Sequence, residues 1–118
     1  MFTLTGLDGS QIYVAVDSIF RIRVSIPEDG PPATDVEYGA GYIFTHESID
    51  ALLARIGSAD RFIRLTTRNA SPVYLNVAAI SSIRDAPPIN APGTEIIVSG
   101  AYQHVMETPA QIQALSAG

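Results

Sequence analysis

Apolar and polar residues alternate along the first quarter of the chain. Phe2 to Leu7 reads as a short strand, and Asp8-Gly9 is a two-residue hairpin signal because both residues tolerate positive φ. Gln11 to Val16 returns with Ile12, Val14 and Val16 on one face, a period of two. Asp17-Ser18 interrupts that strand. Phe20 to Ile26 resumes it, with Phe20, Ile22, Val24 and Ile26 pointing one way and Arg21, Arg23 and Ser25 the other. Pro27 to Ala33 is a Pro/Gly loop that cannot stay in a ladder. Asp35 to Thr45 reads as a hairpin turning at Gly39-Ala40-Gly41. Asp35 and Glu37 share one of its faces, which is expected to meet water.

The period then changes. Ser48 is a good helix N-cap. Ile49, Leu52, Leu53 and Ile56 follow at the spacing of an amphipathic helix, and Gly57 suits the left-handed position past its end.

The pattern then starts again. An offset of 61 places Leu4-Thr5 on Leu65-Thr66, Ile12-Tyr13-Val14 on Val73-Tyr74-Leu75, and Val16, Ile19, Ile22 and Arg23 on Val77, Ile80, Ile83 and Arg84. Beyond the Pro/Gly loops the offset is 60, placing Thr34-Asp35-Val36 on Thr94-Glu95-Ile96, Tyr42 on Tyr102 and Glu47 on Glu107. Thr108 is the second cap, Pro109 the first helical residue, and Ile112 with Leu115 forms a shorter apolar stripe. The expected fold class is α+β, predominantly β. It comprises two pseudo-symmetric β-β-β-β-α repeats, residues 1–58 and 62–118, with antiparallel strands because every connection is short. A unit this small is marginal alone, and the linker Ser58-Ala59-Asp60-Arg61 is short. A single domain with one shared core is therefore expected.

Composition narrows the chemistry. Hydrophobic residues make up 47% and charged residues 16%, which indicates a folded domain. No apolar run approaches the roughly 18–20 residues of a membrane-spanning helix. The opening Met-Phe-Thr-Leu-Thr has no basic segment, so a cytoplasmic location is the default expectation. There is no cysteine, which removes disulfides and thiolate chemistry. All seven basic residues are arginines, a pattern that suggests a GC-rich bacterial genome. A net charge of −5 opposes non-specific attraction to phosphate backbones.

No nucleophile elbow and no phosphate-cradling glycine loop is present. A small hydrolase-like enzyme would need a pocket joining His46 or His104 to two carboxylates. The offset places His46 on Met106 and His104 on Phe44, so neither histidine is repeated. Each reads as a structural or surface residue, and neither a metal nor a cofactor is expected. Glu47 and Glu107 do repeat, at positions where helix-terminus electrostatics explains them. The candidate interface residues are the repeated Tyr13, Tyr74, Tyr42 and Tyr102, with Arg21 and Arg23.

Each copy resembles the small flagellar FlbD family. The match lies in Leu4-Thr5, Asp8-Gly9, Ile19-x-x-Ile22, Thr34-x-Val36, Gly41 and Glu47. In the second copy it lies in Leu65-Thr66, Asn69, Leu75-Asn76, Ile80-x-x-Ile83, Thr94-x-Ile96, Gly100 and Glu107. Ala70 replaces the turn glycine, and Ala15 stands where the second copy has Asn76. The resemblance implies a non-enzymatic, motility-associated binding or assembly role, with a protein partner or self-association. A second similarity is to LytTR-type DNA-binding domains. It runs through Asp17-Ser18-Ile19, Leu52-Leu53-Ala54-Arg55-Ile56, Arg61-Phe62-Ile63-Arg64 and Leu75-Asn76. That resemblance implies a nucleic-acid-binding regulatory domain, which the acidic charge opposes.

Overall fold

Short strands joined by tight turns must pair with their sequence neighbours, and in this chain they do. The computed structural model describes residues 1–25, 32–57 and 61–116. Ile26, most of the Pro27–Ala33 loop and most of the Ser58–Arg61 linker lie outside them. The chain divides into two compact units, Met1–Asp60 and Arg61–Gly118.

Unit 1 contains β1 (Phe2–Thr5), β2 (Gln11–Val14), β3 (Ile19–Ser25), β4 (Ala33–Tyr38), β5 (Gly41–Thr45) and α1 (Ile49–Ile56). β1 and β2 form an antiparallel hairpin. β4 is antiparallel to β3 on one side and to β5 on the other. In the β1–β2 turn Gly9 takes φ +85°, and Asp8 Oδ1 accepts from the amide and hydroxyl of Ser10. The expected Asp17-Ser18 interruption is a single 3-10 turn, Val16–Ser18. α1 begins at Ser48, whose Oγ accepts from the amide of Ala51 at 3.2 Å, and ends at Gly57 with φ +72°. It packs on β3, with Ile49, Leu52 and Ile56 buried.

Unit 2 runs through the same elements: β6 (Phe62–Thr66), β7 (Pro72–Asn76), β8 (Ile80–Asp85), β9 (Thr94–Val98), β10 (Ala101–Val105) and α2 (Pro109–Ser116). β6 pairs with β7, and β9 pairs with β8 and with β10, all antiparallel. Irregularities recur at corresponding places. The ladder slips between Ile19 and Arg21 in β3 and between Ile80 and Ser82 in β8. The amide of Gly39 bonds the carbonyl of Ser18, and that of Ser99 bonds the carbonyl of Ala79.

Three expectations change. Each unit has five strands rather than four, because the 3-10 turn splits the second segment and the hairpin contributes two more. β1 and β2 are shorter than Phe2–Leu7 and Gln11–Val16, because Gly6 and the turn residues leave the ladder. Leu115 is 49% exposed, so the apolar stripe of α2 reduces to Ile112. The fully buried side chains include Leu4, Ile22, Val36 and Leu52 in unit 1, and Leu65, Leu75, Ile96 and Ile112 in unit 2. Each contributes on the order of 1.5–3 kcal/mol. No helix among the described residues is long and apolar enough to cross a membrane.

The two 3-10 turns differ in one atom group that matters. Asn76 precedes the second turn and its Oδ1 accepts from the amide of Ala78 at 3.0 Å. Ala15 precedes the first turn with nearly the same backbone, φ −71° and ψ 129° against −72° and 117°, and makes no side-chain cap. Ala15→Asn is therefore expected to stabilise the protein by about 0.5–1 kcal/mol. A thermal melt showing a raised midpoint checks it.

Candidate functional site

The outward face of the β3–β4–β5 ladder gathers most of the predicted residues of unit 1. Cross-strand register sets Arg21 opposite Glu37 and Glu37 opposite Tyr42. It sets Arg23 opposite Asp35 and Asp35 opposite Phe44. Arg21 donates from Nε and Nη2 to the two carboxylate oxygens of Glu37, a forked pair. Arg23 Nε reaches Asp35 at 3.3 Å and Glu37 at 3.6 Å. Arg21 is only 5% exposed and Asp35 only 6%. Asp35 thus does not face water as its alternation suggested; the ion pairs that the alternation could not show let it be buried. Arg21 is an internal cross-link, and Arg23 is half-buried.

Beside this ladder the aromatic residues are open. Tyr42 is 65% exposed and Phe44 36%, and their rings meet edge to face at 5.4 Å between centroids. With Leu7, itself 46% exposed, they line a groove of about 320 Å³ completed by Gly6, Asp8, Ser10 and Ile43. Sequence reading singled out Tyr42 but missed Phe44 and Leu7. The parity of Phe44 with Tyr42 was the available signal, since residues two apart on a strand share a face. Tyr13 is 62% exposed on β2, opposite Thr3. Tyr74 is half-buried on β7, opposite Arg64.

Unit 2 treats the same face differently. Glu95, aligned with Asp35, is 5% exposed. It accepts from Tyr102 Oη at 2.8 Å, Arg84 Nε at 2.9 Å and Asn90 Nδ2 at 3.1 Å. The phenol and the guanidinium, with Asn90, hold the Glu95 carboxyl below its ordinary value, against the opposing effect of burial. The same contact pushes the Tyr102 phenol up. Asp35 has the opposite balance. Burial and then the Glu37 charge raise it, and its Oδ1 has no hydrogen-bond partner.

His104 packs under the loop between β8 and β9. Its Nε2 lies 2.9 Å from the carbonyl of Pro92 and 3.1 Å from that of Asn90. A Cβ at Gly93, whose φ is +116°, would collide with the carbonyl of Val105 and the His104 ring. His104 is therefore a packing and loop-holding residue. His46 is exposed at the junction between β5 and α1. Among the described residues no group of three or more histidines and carboxylates is placed to hold a metal.

Glu47 and Glu107 have a role that helix electrostatics did not foresee. Glu107 accepts from the amide and the hydroxyl of Thr66, both at 2.9 Å, tying the entry of α2 to β6. Glu47 pairs with Arg55 at 2.8 Å, and Arg55 donates to the carbonyl of Thr3 on β1. The guanidinium also lies 4.3 Å from the Phe2 ring centre.

These environments set opposite pH dependences. The depressed Glu95 contributes stability that is present above its ordinary value of 4.5 and lost as pH falls through its folded value. The raised Asp35 contributes stability at low pH that is lost as pH rises through its folded value. Glu95→Gln is expected to destabilise at about pH 7 and much less at about pH 3. Asp35→Asn is expected to gain stability relative to the parent as pH rises over that range. Urea unfolding at both ends of the range checks the two signs.

No family model, no curated protein and no solved structure matches this chain.

Proposed function

We propose that this chain is a non-enzymatic protein-interaction or assembly module. One observation carries the reading: the charged side chains of the sheet face are used internally, while the aromatic ones are left open. Arg21, Arg23, Arg55 and Arg84 are each paired with a carboxylate. Tyr42, Phe44 and Leu7 stand exposed around a shallow groove. Exposed aromatics clustered beside a polar rim supply contact area at low entropic cost, which is the usual make-up of an interface hot spot. The arginine pairing also speaks against the nucleic-acid reading, since a guanidinium held by a carboxylate is poorly disposed to neutralise phosphate. The resemblance of each repeat to the flagellar FlbD family supports a motility-associated setting for the module.

Association is tested with the intact chain by sedimentation over a concentration series and by affinity capture from the source cells. A concentration-dependent species or a stoichiometric protein partner is expected. The double substitution Tyr42→Ser and Phe44→Ser is expected to weaken that association by at least tenfold, about 1.4 kcal/mol. It should leave the melting temperature nearly unchanged, because both side chains are substantially exposed. A strictly monomeric chain that retains no partner would overturn the reading.

A further inference from the structure

Unit 1 carries a large surplus of negative charge. Met1–Asp60 holds three arginines against nine carboxylates, a formal −6, whereas Arg61–Gly118 holds four arginines against three carboxylates, a formal +1. The arginines of unit 1 are already committed: Arg21 to Glu37, Arg23 to Asp35 and Arg55 to Glu47. The surplus reaches the aromatic groove at Asp8. Its Oδ1 accepts from Ser10, and its Oδ2 has no hydrogen-bond partner among the described residues. The Ser10 hydroxyl and amide hold the Asp8 carboxyl below its ordinary value, so it is charged at neutral pH. A carboxylate thus stands in the same groove as Tyr42 and Phe44, whose ring faces attract cations.

The protein shows twice what such a place takes. In unit 1 the Arg55 guanidinium lies 4.3 Å from the Phe2 ring centre and donates to Glu47, so one cation is held by a ring and a carboxylate. The second case is in unit 2. The sequence offsets set Leu7 on Arg68, Asp8 on Asn69, Tyr42 on Tyr102 and Phe44 on His104. Each set lies in the turn joining a unit's first two strands and on its last strand. Arg68 reaches from that turn to the last strand. Its Nη2 lies 3.1 Å from His104 Nε2 and donates to the carbonyl of Asn90 at 2.6 Å, and its charge acts on the Tyr102 phenol. Unit 2 therefore supplies its own guanidinium at this place. Unit 1 has the shorter, uncharged Leu7 instead, a carboxylate where unit 2 has Asn69, and an open groove of about 320 Å³.

On the reading of this aromatic face as an interaction surface, we propose that the groove of unit 1 binds an arginine side chain presented by a basic segment of a protein partner. The guanidinium stacks on Tyr42 and Phe44 and donates to Asp8 Oδ2, while its methylene stem covers Leu7. Arginine suits the place better than lysine. Its planar group can stack on a ring and bond a carboxylate at once, and it is more weakly hydrated. The charge of unit 1 draws a basic partner to this face. It opposes a second copy of the whole chain, whose net charge is −5.

The test uses the intact chain and two fluorescent octapeptides at physiological ionic strength. In one, glycine alternates with arginine; in the other, with citrulline, its uncharged isostere. Fluorescence anisotropy is expected to show saturable binding of the arginine peptide and at least tenfold weaker binding of the citrulline peptide. Asp8→Asn, which keeps an acceptor for Ser10, is expected to weaken the arginine peptide at least tenfold. Asp50→Asn removes the same charge from an exposed position on α1 and is expected to change little. Circular dichroism verifies that both variants are folded. Equal losses from Asp8→Asn and Asp50→Asn, equal binding of the two peptides, or no binding of either overturns the arginine site. A protein partner lost with Tyr42→Ser and Phe44→Ser but retained by Asp8→Asn overturns the arginine site and leaves the interaction-module reading standing. A chain that associates only with its own copies does the same. A strictly monomeric chain that holds neither a protein partner nor the arginine peptide overturns both.

Discussion

Each unit depends on tying its first strand to the segment that follows its last. A five-stranded unit of short strands has little core, and a first strand held by one neighbour would fray. Unit 2 solves this with Glu107, whose carboxylate takes the amide and hydroxyl of Thr66, while the amide of Met106 bonds the carbonyl of Thr66. Unit 1 reaches the same end by a longer route, from Glu47 through Arg55 to the carbonyl of Thr3. Charge-assisted bonds to backbone are among the stronger ones available to a small domain. They also explain why a glutamate precedes both helix caps.

Once the unit is closed, its sheet has an inner face and an outer one. The inner face takes Ile22 and Val36 in unit 1 and Ile96 and Val98 in unit 2. The outer face is buried too at Arg21, Asp35 and Glu95, which makes its charges costly unless paired. The pairing is complete around Glu95 and incomplete around Asp35, whose Oδ1 lacks a partner. Unit 2 satisfies its carboxylate with Tyr102 and Asn90 in addition to arginine. Unit 1 has Phe44 and Tyr42 near the equivalent place, and those rings turn outward. The internal pairing of the charges and the external display of the aromatics are two results of one cross-strand register.

The alternation of Ile12 and Val14, the turn residues Asp8-Gly9, the caps Ser48 and Thr108 and the closing Gly57 were legible without coordinates. Each is a local signal whose physics is confined to a few neighbouring residues. The predominantly β character and the helix α1 were legible from these signals as well, whereas the number of strands in each unit was not. The candidate site was legible in part. Of the repeated tyrosines named as interface candidates, Tyr42 and Tyr13 are exposed and Tyr74 is half-buried. Arg21 was expected beside them and is instead enclosed with Glu37. Period-two alternation assigns a residue to a face, but it carries no information about whether that face is covered.

The sequence by itself therefore determined the strands, turns, caps and the predominantly β, antiparallel character, because backbone preference and hydrophobic period act over short range. Tertiary structure alone decided which polar face is buried, that Glu47 and Glu107 serve as closures of the first strands, and that His104 holds a loop. Those outcomes rest on contacts between residues far apart in the chain, such as Thr66 with Glu107 and Arg55 with Thr3, and on the burial that follows from them.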